Sequence, residues 1–230
     1  LARKILRDLD EVNHAHTTGY ALGHLACFLC AAEIQPLGIE IAEKCVEVSE
    51  RNRMPLWAAL GHASISMARD NEGHDSEAIP EFSAALEMLS ELNFDVFRTI
   101  LLPSHALALA RTGDFSAAAA HLAEARGLME EHEARFSEPE ISRVEGQLAI
   151  LQHNNIKARA CFEHALGRAQ NLGHLSWELR AAEDLAAMLL QEDEHDQARD
   201  LLASVYARFN EGHDFPPLQR VARLIEATTV

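Results

Sequence analysis

A repeat of 40 residues constrains the fold of this chain more than any other feature of its sequence. Four positions after each of five small anchor residues stands an apolar residue, which is aromatic at Phe82 and Phe162. Seven positions after each anchor stands another small or apolar residue. Positions i, i+4 and i+7 lie on one face of an α-helix, so every copy is predicted to contain a helix with one packing face. The anchors are Gly38, Ala78, Ala118, Ala158 and Ala198.

A second helix is predicted before the first, because another small residue lies twelve positions before each anchor. Small side chains at both places let two antiparallel helices approach closely. Polar turns such as Gly113-Asp114 and His153-Asn154-Asn155 lie between them; Gly and Asn adopt the left-handed conformation that ends a helix, and Asp can cap the next one. The sequence therefore predicts stacked helix pairs. The earlier small residues are Ala26, Ser66, Ala106, Gly146 and Ala186.

The motif Ala158-x3-Phe162-x2-Ala165, with Gly146 twelve positions earlier, resembles the tetratricopeptide (TPR) consensus. The usual TPR period is about 34 residues, so a period of 40 implies longer helices. HEAT and armadillo repeats share a period near 40 but lack this pattern of small, large and small residues. The resemblance implies an all-α fold: a right-handed α-α superhelix, or TPR-like solenoid, of about five helix pairs plus flanking helices.

The long period and the C-terminal third resemble the C-terminal repeat region of large bacterial signalling ATPases, including activators of the maltose-regulon type. The stretches that carry this resemblance are Trp177-Glu178-Leu179-Arg180 and Phe209-Asn210-Glu211-Gly212. Proteins of this kind place a nucleotide cyclase or a winged-helix domain first, an ATPase domain next and helical repeats last. The resemblance implies a repeat module of a larger cytoplasmic protein in signal transduction or transcription regulation.

We expect one solenoid over residues 1–230. Residues 1–13 are interpreted as the remnant of a preceding repeat, and residues 215–228 as a capping helix whose outer face, with Arg220, is polar. Pro103 is expected either to kink its helix or to move the start of that helix to about residue 101. The complete repeats are predicted at 15–51, 55–92, 95–134, 138–171 and 175–210.

The net charge of −16 argues against binding to nucleic acid, because a phosphate backbone repels such a surface. Anionic membranes are disfavoured for the same reason, and no apolar stretch is long enough to span a membrane. Four cysteines in 230 residues are too few for a disulfide scaffold. We therefore predict buried thiols and a cytoplasmic location.

No motif in the sequence predicts catalysis, a cofactor or a metal site. Cys27-x2-Cys30 lacks the second pair of ligands that a structural zinc site needs. His132-Glu133 is not followed by the second histidine of a metalloprotease motif, and Gly19-x3-Gly23 does not continue into a phosphate-binding loop. The sequence therefore predicts a protein that is not an enzyme.

Partner-binding residues are predicted from the TPR geometry, in which the first helix of each pair lines the concave groove. The positions 18, 15, 11 and 8 before each anchor then face this groove, which is apolar towards the N-terminus and charged towards the C-terminus. An amphipathic helix or an extended peptide matches such a surface. Alternatively, the charged residues pair with each other or with solvent. The predicted contacts are Tyr20, Met67, Leu107, Arg143, Gln147, Arg180 and Glu183.

The sequence thus predicts a non-catalytic module that binds a protein, a peptide or another domain of its parent chain in the groove. The alternative is a small-molecule sensor that relieves inhibition of a linked ATPase or effector domain. Association of two copies through one end of the solenoid also stays open.

Overall fold

A computed structural model of the chain describes residues 2–12 and 14–228. Every regular element within these ranges is helical, which confirms the predicted all-α fold of about five helix pairs plus flanking helices. A short 3-10 turn, Arg135–Ser137, precedes α8. The helices are α1 (Ala2–Glu11), α2 (Ala15–Ala31), α3 (Leu37–Arg51), α4 (Pro55–Asn71), α5 (Asp75–Glu91), α6 (Asp95–Arg111), α7 (Phe115–Glu131), α8 (Glu138–Leu151), α9 (Asn155–Leu172), α10 (Leu175–Gln191), α11 (His195–Tyr206) and α12 (Pro216–Ala227).

The helices form two layers. Each even-numbered helix from α2 to α8 packs against the next even-numbered helix, whereas the odd-numbered helices from α3 to α11 pack mainly against their neighbours along the chain. The even-numbered helices therefore form the inner layer and the odd-numbered helices the outer layer. This arrangement confirms the predicted TPR-like solenoid.

The repeated residues hold the two layers together. The four alanine anchors are fully buried, and so are Phe82 and Phe162, which follow two of them. Burying a phenylalanine side chain stabilises a fold by about 1.5–3 kcal/mol. The small anchors let neighbouring helices approach, and the aromatic rings fill the space that remains between them.

A left-handed residue ends nearly every helix, and these residues recur at intervals of 20. Glycine favours this conformation and occupies three of the positions, whereas an ordinary L-residue there costs about 1–2 kcal/mol. The structural period of the turns is thus half of the sequence period. The left-handed positions are Glu33, Arg53, Gly73, Asn93, Gly113, Glu133, His153, Gly173 and Asp193.

Pro103 lies inside α6, which begins at Asp95. Of the two alternatives for this proline, the later helix start near residue 101 is therefore wrong, and the kink stays a prediction. The division of the chain into repeats, with 1–13 as a remnant and 215–228 as a cap, stays a prediction. Residues 1 and 13 of that first segment lie outside the described residues.

Candidate functional site

The inner layer surrounds a polar cavity of about 470 Å³. It brings together five of the seven predicted contact residues, namely Leu107, Arg143, Gln147, Arg180 and Glu183. Residues from all six even-numbered helices, or from the turns that follow them, line it. The further lining residues are Glu33, Asp70, Asn71, Arg111, Asp184, Ala187, Leu190, Arg220 and Leu224.

Arg143 is the centre of a buried ion-pair network on one wall of the cavity. Its Nε and Nη2 donate to the two carboxylate oxygens of Glu140 at 2.9 and 2.8 Å. Its Nη1 donates to Asp184 at 2.7 Å, and the Gln147 amide donates to the other oxygen of Asp184 at 2.6 Å. Burial alone raises the pKa of Glu140, but Arg143 and Arg180 outweigh it and lower that pKa below its ordinary value. This wall therefore carries fixed charges in a set geometry.

Arg180 extends the network across the groove. Its Nη1 lies 3.0 Å from Glu140 and donates to the backbone carbonyl of Ala31 at 2.8 Å. Its Nε lies 3.4 Å from a Glu33 oxygen without forming a hydrogen bond. The guanidinium carbon also lies 5.4 Å from the ring centroid of Trp177, a cation–π distance. Arg180 thus links α8 to the end of α2 and the turn that follows it.

Arg220 faces the groove rather than the outside of the solenoid. Its guanidinium bonds both oxygens of Glu183, and its Nη2 donates to Glu33 at 3.0 Å. The expectation that Arg220 belongs to the polar outer face of a cap is therefore wrong, because the carboxylates of α10 and of the α2–α3 turn hold it inward. Burial raises the pKa of Glu33, but Arg180, Arg220 and Arg143 together lower it below its ordinary value.

A second ion-pair cluster lies at the α4–α6 side of the cavity. Arg111 bonds the carboxylates of Asp70 and Asp75 and also the backbone carbonyl of Asp70. Burial raises the pKa of Asp70 to about 7; Arg111 opposes this rise, and the neighbouring Asp75 adds to it. Two carboxyl groups share one guanidinium here, so the more buried of them retains its proton to a higher pH.

Tyr20 and Met67 lie outside the cavity. The Tyr20 side chain is 52% exposed and lies beside His24, with ring centroids 4.2 Å apart and the ring planes tilted by 37°. Met67 is only 1% exposed and belongs to the hydrophobic core. Its prediction as a contact residue is wrong, because α4 packs between α2 and α6 and the residue points into that packing.

The same physical reason removes other predicted positions from the groove. A β-carbon on Gly23 would lie 3.2 Å from side-chain atoms of both Leu60 and Trp57 in α4. Cys27 and Cys30 are fully buried free thiols, and burial raises the pKa of Cys30 to about 12. Gly23 thus faces the neighbouring inner helix α4, whereas Cys30 faces the outer helix α3, where a β-carbon on Gly38 would lie 2.7 Å from the Cys30 Sγ. Among the residues that the structure describes, no group of three or more His, Cys, Asp or Glu side chains is placed to hold a metal ion.

Three other openings accompany the polar cavity, of which the smallest, about 60 Å³, is lined mainly by apolar residues such as Ile34, Leu179 and Leu218, with Arg180. An apolar pocket of about 290 Å³ is lined by Phe28, Ala32, Phe136, Leu175 and Trp177, with His174 and Ser176 at its edge. A depression of about 780 Å³ lies beside the α10–α11 turn and the end of α12. None of the predicted contact residues lines that depression, whereas the apolar pocket adjoins the cavity through Trp177 and Arg180. The apolar pocket is thus a better candidate than the depression for a partner-binding surface.

The polar residues that the sequence did not single out come from distant helices. Glu33 and Arg220 meet only because the superhelix curves back on itself, whereas Asp184 pairs with Arg143 and Gln147 of the neighbouring inner helix α8. No local motif identifies Glu33, Asp184 or Arg220, although Glu140 and Glu183 do occupy predicted groove positions.

The described helices include none that is long and apolar enough to cross a membrane.

Known proteins share the fold of this chain but not its sequence. No protein-family model matches the chain, and no curated protein matches it either. A solved Rap protein complexed with competence and sporulation factor aligns over 99% of this chain and 68% of its own length, with a TM-score of 0.61 and 13% identity. The apo form of RapI aligns over 99% of this chain and 89% of its own, with a TM-score of 0.55 and 12% identity. Rap proteins have TPR-like helical repeats, so these matches agree with the predicted fold; at such identity they show the fold alone.

Proposed function

We propose that this chain is a non-catalytic interaction module that binds a segment of a protein partner in its concave groove. The observation that carries the proposal is the polar cavity of about 470 Å³ beside an apolar pocket of about 290 Å³. The amide nitrogens of Gln147 and Asn71 already donate to Asp184 and to the Cys30 carbonyl, so their amide oxygens are the groups that accept from peptide N–H groups. A peptide also has side chains that can fill the aromatic pocket near Trp177. Recognition of extended segments combines these two kinds of contact.

The solved Rap structure supports the proposal through its ligand. That protein is complexed with competence and sporulation factor, so a solenoid of this fold can bind a regulatory factor. We extend this to the present chain as a proposal and leave the sequence of the partner open, because the two chains share only 13% of their residues.

The setting that we propose is a cytoplasmic regulatory protein. The resemblance to bacterial signalling ATPases favours a partner segment that belongs either to a separate protein or to another domain of the same polypeptide. The net charge of −16 disfavours nucleic acid and anionic membranes as partners. We propose no cofactor, and association of copies through one solenoid end remains a secondary hypothesis.

A small-molecule sensor is the second candidate function. The cavity volume falls within the roughly 300–1,000 Å³ that is typical of small-molecule sites. However, such sites are mostly apolar, and four arginines and four carboxylates line this one. A thermal-shift screen against metabolites tests this candidate, since a ligand that binds only the folded state raises the melting temperature.

Peptide display tests the first candidate. A library of random peptides is selected on the immobilised chain, and the affinity of the enriched peptides is measured by fluorescence polarisation. We expect the variants Leu107→Asn and Gln147→Ala, which change the cavity wall, to weaken binding by about tenfold or more.

The matched control is Ile156→Asn. It makes the same kind of change at a side chain that is 88% exposed and lies on the outer helix α9. Equal binding by all three variants would place the peptide site outside the groove. No enriched peptide, together with a metabolite that stabilises the chain, would favour the sensor.

A further inference from the structure

Glu33 joins two parts of the superhelix that lie far apart in the sequence. It stands in the turn after α2, and its carboxylate accepts a hydrogen bond from Arg220, which is 187 residues away, at 3.0 Å. Its other oxygen lies 3.4 Å from Nε of Arg180. Glu33 therefore bridges the beginning of the inner layer to α10 and α12 at its end.

A backbone contact reinforces this bridge. Arg180 donates to the carbonyl of Ala31, at the end of α2, at 2.8 Å. Helix α2 packs extensively on α3 and α4, but among the described residues it has no comparable packing on α10 or α12. The two ends of the superhelix are thus held together by a few polar contacts and by a small apolar contact region, rather than by extensive helix packing. In that region, Ile34 shares an opening with Leu179 and Leu218.

The bridge lies between the two binding surfaces. Glu33 and Arg180 both line the polar cavity, whereas Ala32 and Trp177, their neighbours in space and sequence, line the apolar pocket. The Arg180 guanidinium also covers the Trp177 ring at 5.4 Å. While these contacts are made, the cavity and the pocket are separate openings.

The contacts of Glu33 are weak enough to open, because its pair with Arg220 is partly exposed to water and both arginines that it contacts have other partners. The Glu33 side chain is 20% exposed and Arg220 is 39% exposed, whereas Arg180 is only 11% exposed, so water and salt reach the Glu33–Arg220 pair more than the Glu33–Arg180 pair. Ion pairs that remain in contact with water are weak and are screened by salt. Arg220 also keeps Glu183 as a partner when Glu33 leaves, and Arg180 keeps Glu140, so opening leaves neither arginine without a counter-ion.

We propose that Glu33 is a latch that closes the superhelix into a ring. When the latch is made, the inner layer is closed and the two openings are separate. When it is released, α10 and α12 move away from the α2–α3 turn, and the cavity and the pocket join into one continuous groove. That the latch controls binding to this groove rests on the proposed function. That it closes the superhelix into a ring does not.

Hydrogen exchange of the full chain without any ligand tests the latch. The variant Glu33→Gln keeps the size of the side chain and removes its charge. We expect backbone amides in residues 29–36 and in α12 to exchange at least about tenfold faster, while α8 and α9 are unchanged. The control is Glu163→Gln, the same change at an exposed glutamate of α9, which is expected to leave all of these rates unchanged.

Two results would overturn the latch. One is unchanged exchange in residues 29–36 and α12 of Glu33→Gln. The other is faster exchange spread evenly over all helices, which would make Glu33 an ordinary structural contact. Because no ligand is present, either result leaves the peptide-binding proposal to its own test.

Salt gives a second measurement if Glu33→Gln does not fold. The wild-type chain is compared at about 0.1 M and about 1 M NaCl, between which the Debye length falls from roughly 10 Å to roughly 3 Å. We expect the same local acceleration in residues 29–36 and α12 at high salt. Equal exchange at both salt concentrations would again overturn the latch.

Discussion

Gly146 lies directly against the ring of Phe162: a β-carbon on Gly146 would stand 2.4 Å from Cε1 and 2.7 Å from Cδ1 of that ring. Gly146 belongs to α8 and Phe162 to α9, so the two helices of this pair touch through the smallest and one of the largest side chains. In this repeat, the small residue twelve positions before the anchor and the large residue four positions after it thus form one interhelical contact.

We expect Gly146→Ala to destabilise the chain by about 1–3 kcal/mol, the usual cost of forcing extra atoms into a packed core. Urea unfolding followed by circular dichroism measures this change. The control is Gly127→Ala in α7, where a β-carbon would meet no atom within 4 Å. There the loss of a mid-helix glycine is expected to stabilise by about 0.5–1 kcal/mol, so two changes of the same sign would contradict the contact.

Arg143→Met is expected to cost about 3–5 kcal/mol of folding free energy, because it leaves the buried Glu140 carboxylate without its main counter-ion. Adding Glu140→Gln to Arg143→Met is expected to recover part of that loss. The control is Arg199→Met, which removes an arginine whose ion pairs are exposed. Similar losses for Arg143→Met and Arg199→Met in urea unfolding would show that burial does not strengthen the network.

His105 is expected to make the chain sensitive to acid. Its side chain is 2% exposed and stacks on Phe82, and burial, assisted by His121, lowers its pKa to about 4. The unfolded histidine has an ordinary pKa near 6.5 and takes up a proton first. The stability from neutral His105 is therefore complete above about pH 6.5 and is lost as pH falls towards 4.

The loss at His105 is on the order of 3 kcal/mol, since each pKa unit corresponds to about 1.4 kcal/mol. We expect His105→Phe to abolish this part of the acid destabilisation. The free energy of unfolding is measured for both proteins between pH 7 and pH 4. Parallel curves would mean that another group causes the acid sensitivity.

The left-handed turn residues predict a stabilising substitution. Glu133 has φ +53, a conformation that glycine adopts without steric cost. We expect Glu133→Gly to raise the free energy of unfolding by about 0.5–1 kcal/mol, because relief of the left-handed strain exceeds the added freedom of the unfolded chain. Glu131→Gly, at the last residue of α7, is the control and is expected to destabilise.

The sequence predicts the fold well because the relevant contacts are local. The anchors, the aromatic residues after them and the small residues before them all meet within one helix pair or its neighbour. Their sizes and spacing are therefore visible in the printed sequence. The same spacing also placed Arg143, Gln147 and Glu183 on the cavity wall.

The closure of the groove is not visible in the sequence. Which residues meet across it depends on how far each repeat rotates against the next, and small changes in rotation move distant helices by many ångströms. Assigning the positions 18, 15, 11 and 8 before each anchor to the groove therefore fails at Met67, which is buried. The same assignment gives no indication that Glu33 meets Arg220. The 20-residue spacing of the left-handed turns is also not predictable from the sequence, because Arg53 and Glu133 are not typical turn residues.

The uniform spacing of the left-handed turns limits how such a chain can lengthen during evolution. Duplication of one helix with its turn, 20 residues, would preserve the turn geometry. However, it would place every later inner helix in the outer layer, so that buried faces would meet solvent and charged faces would meet the core. Duplication of 40 residues avoids this exchange of layers. The helix pair is thus the smallest genetic step by which this architecture can grow and still fold.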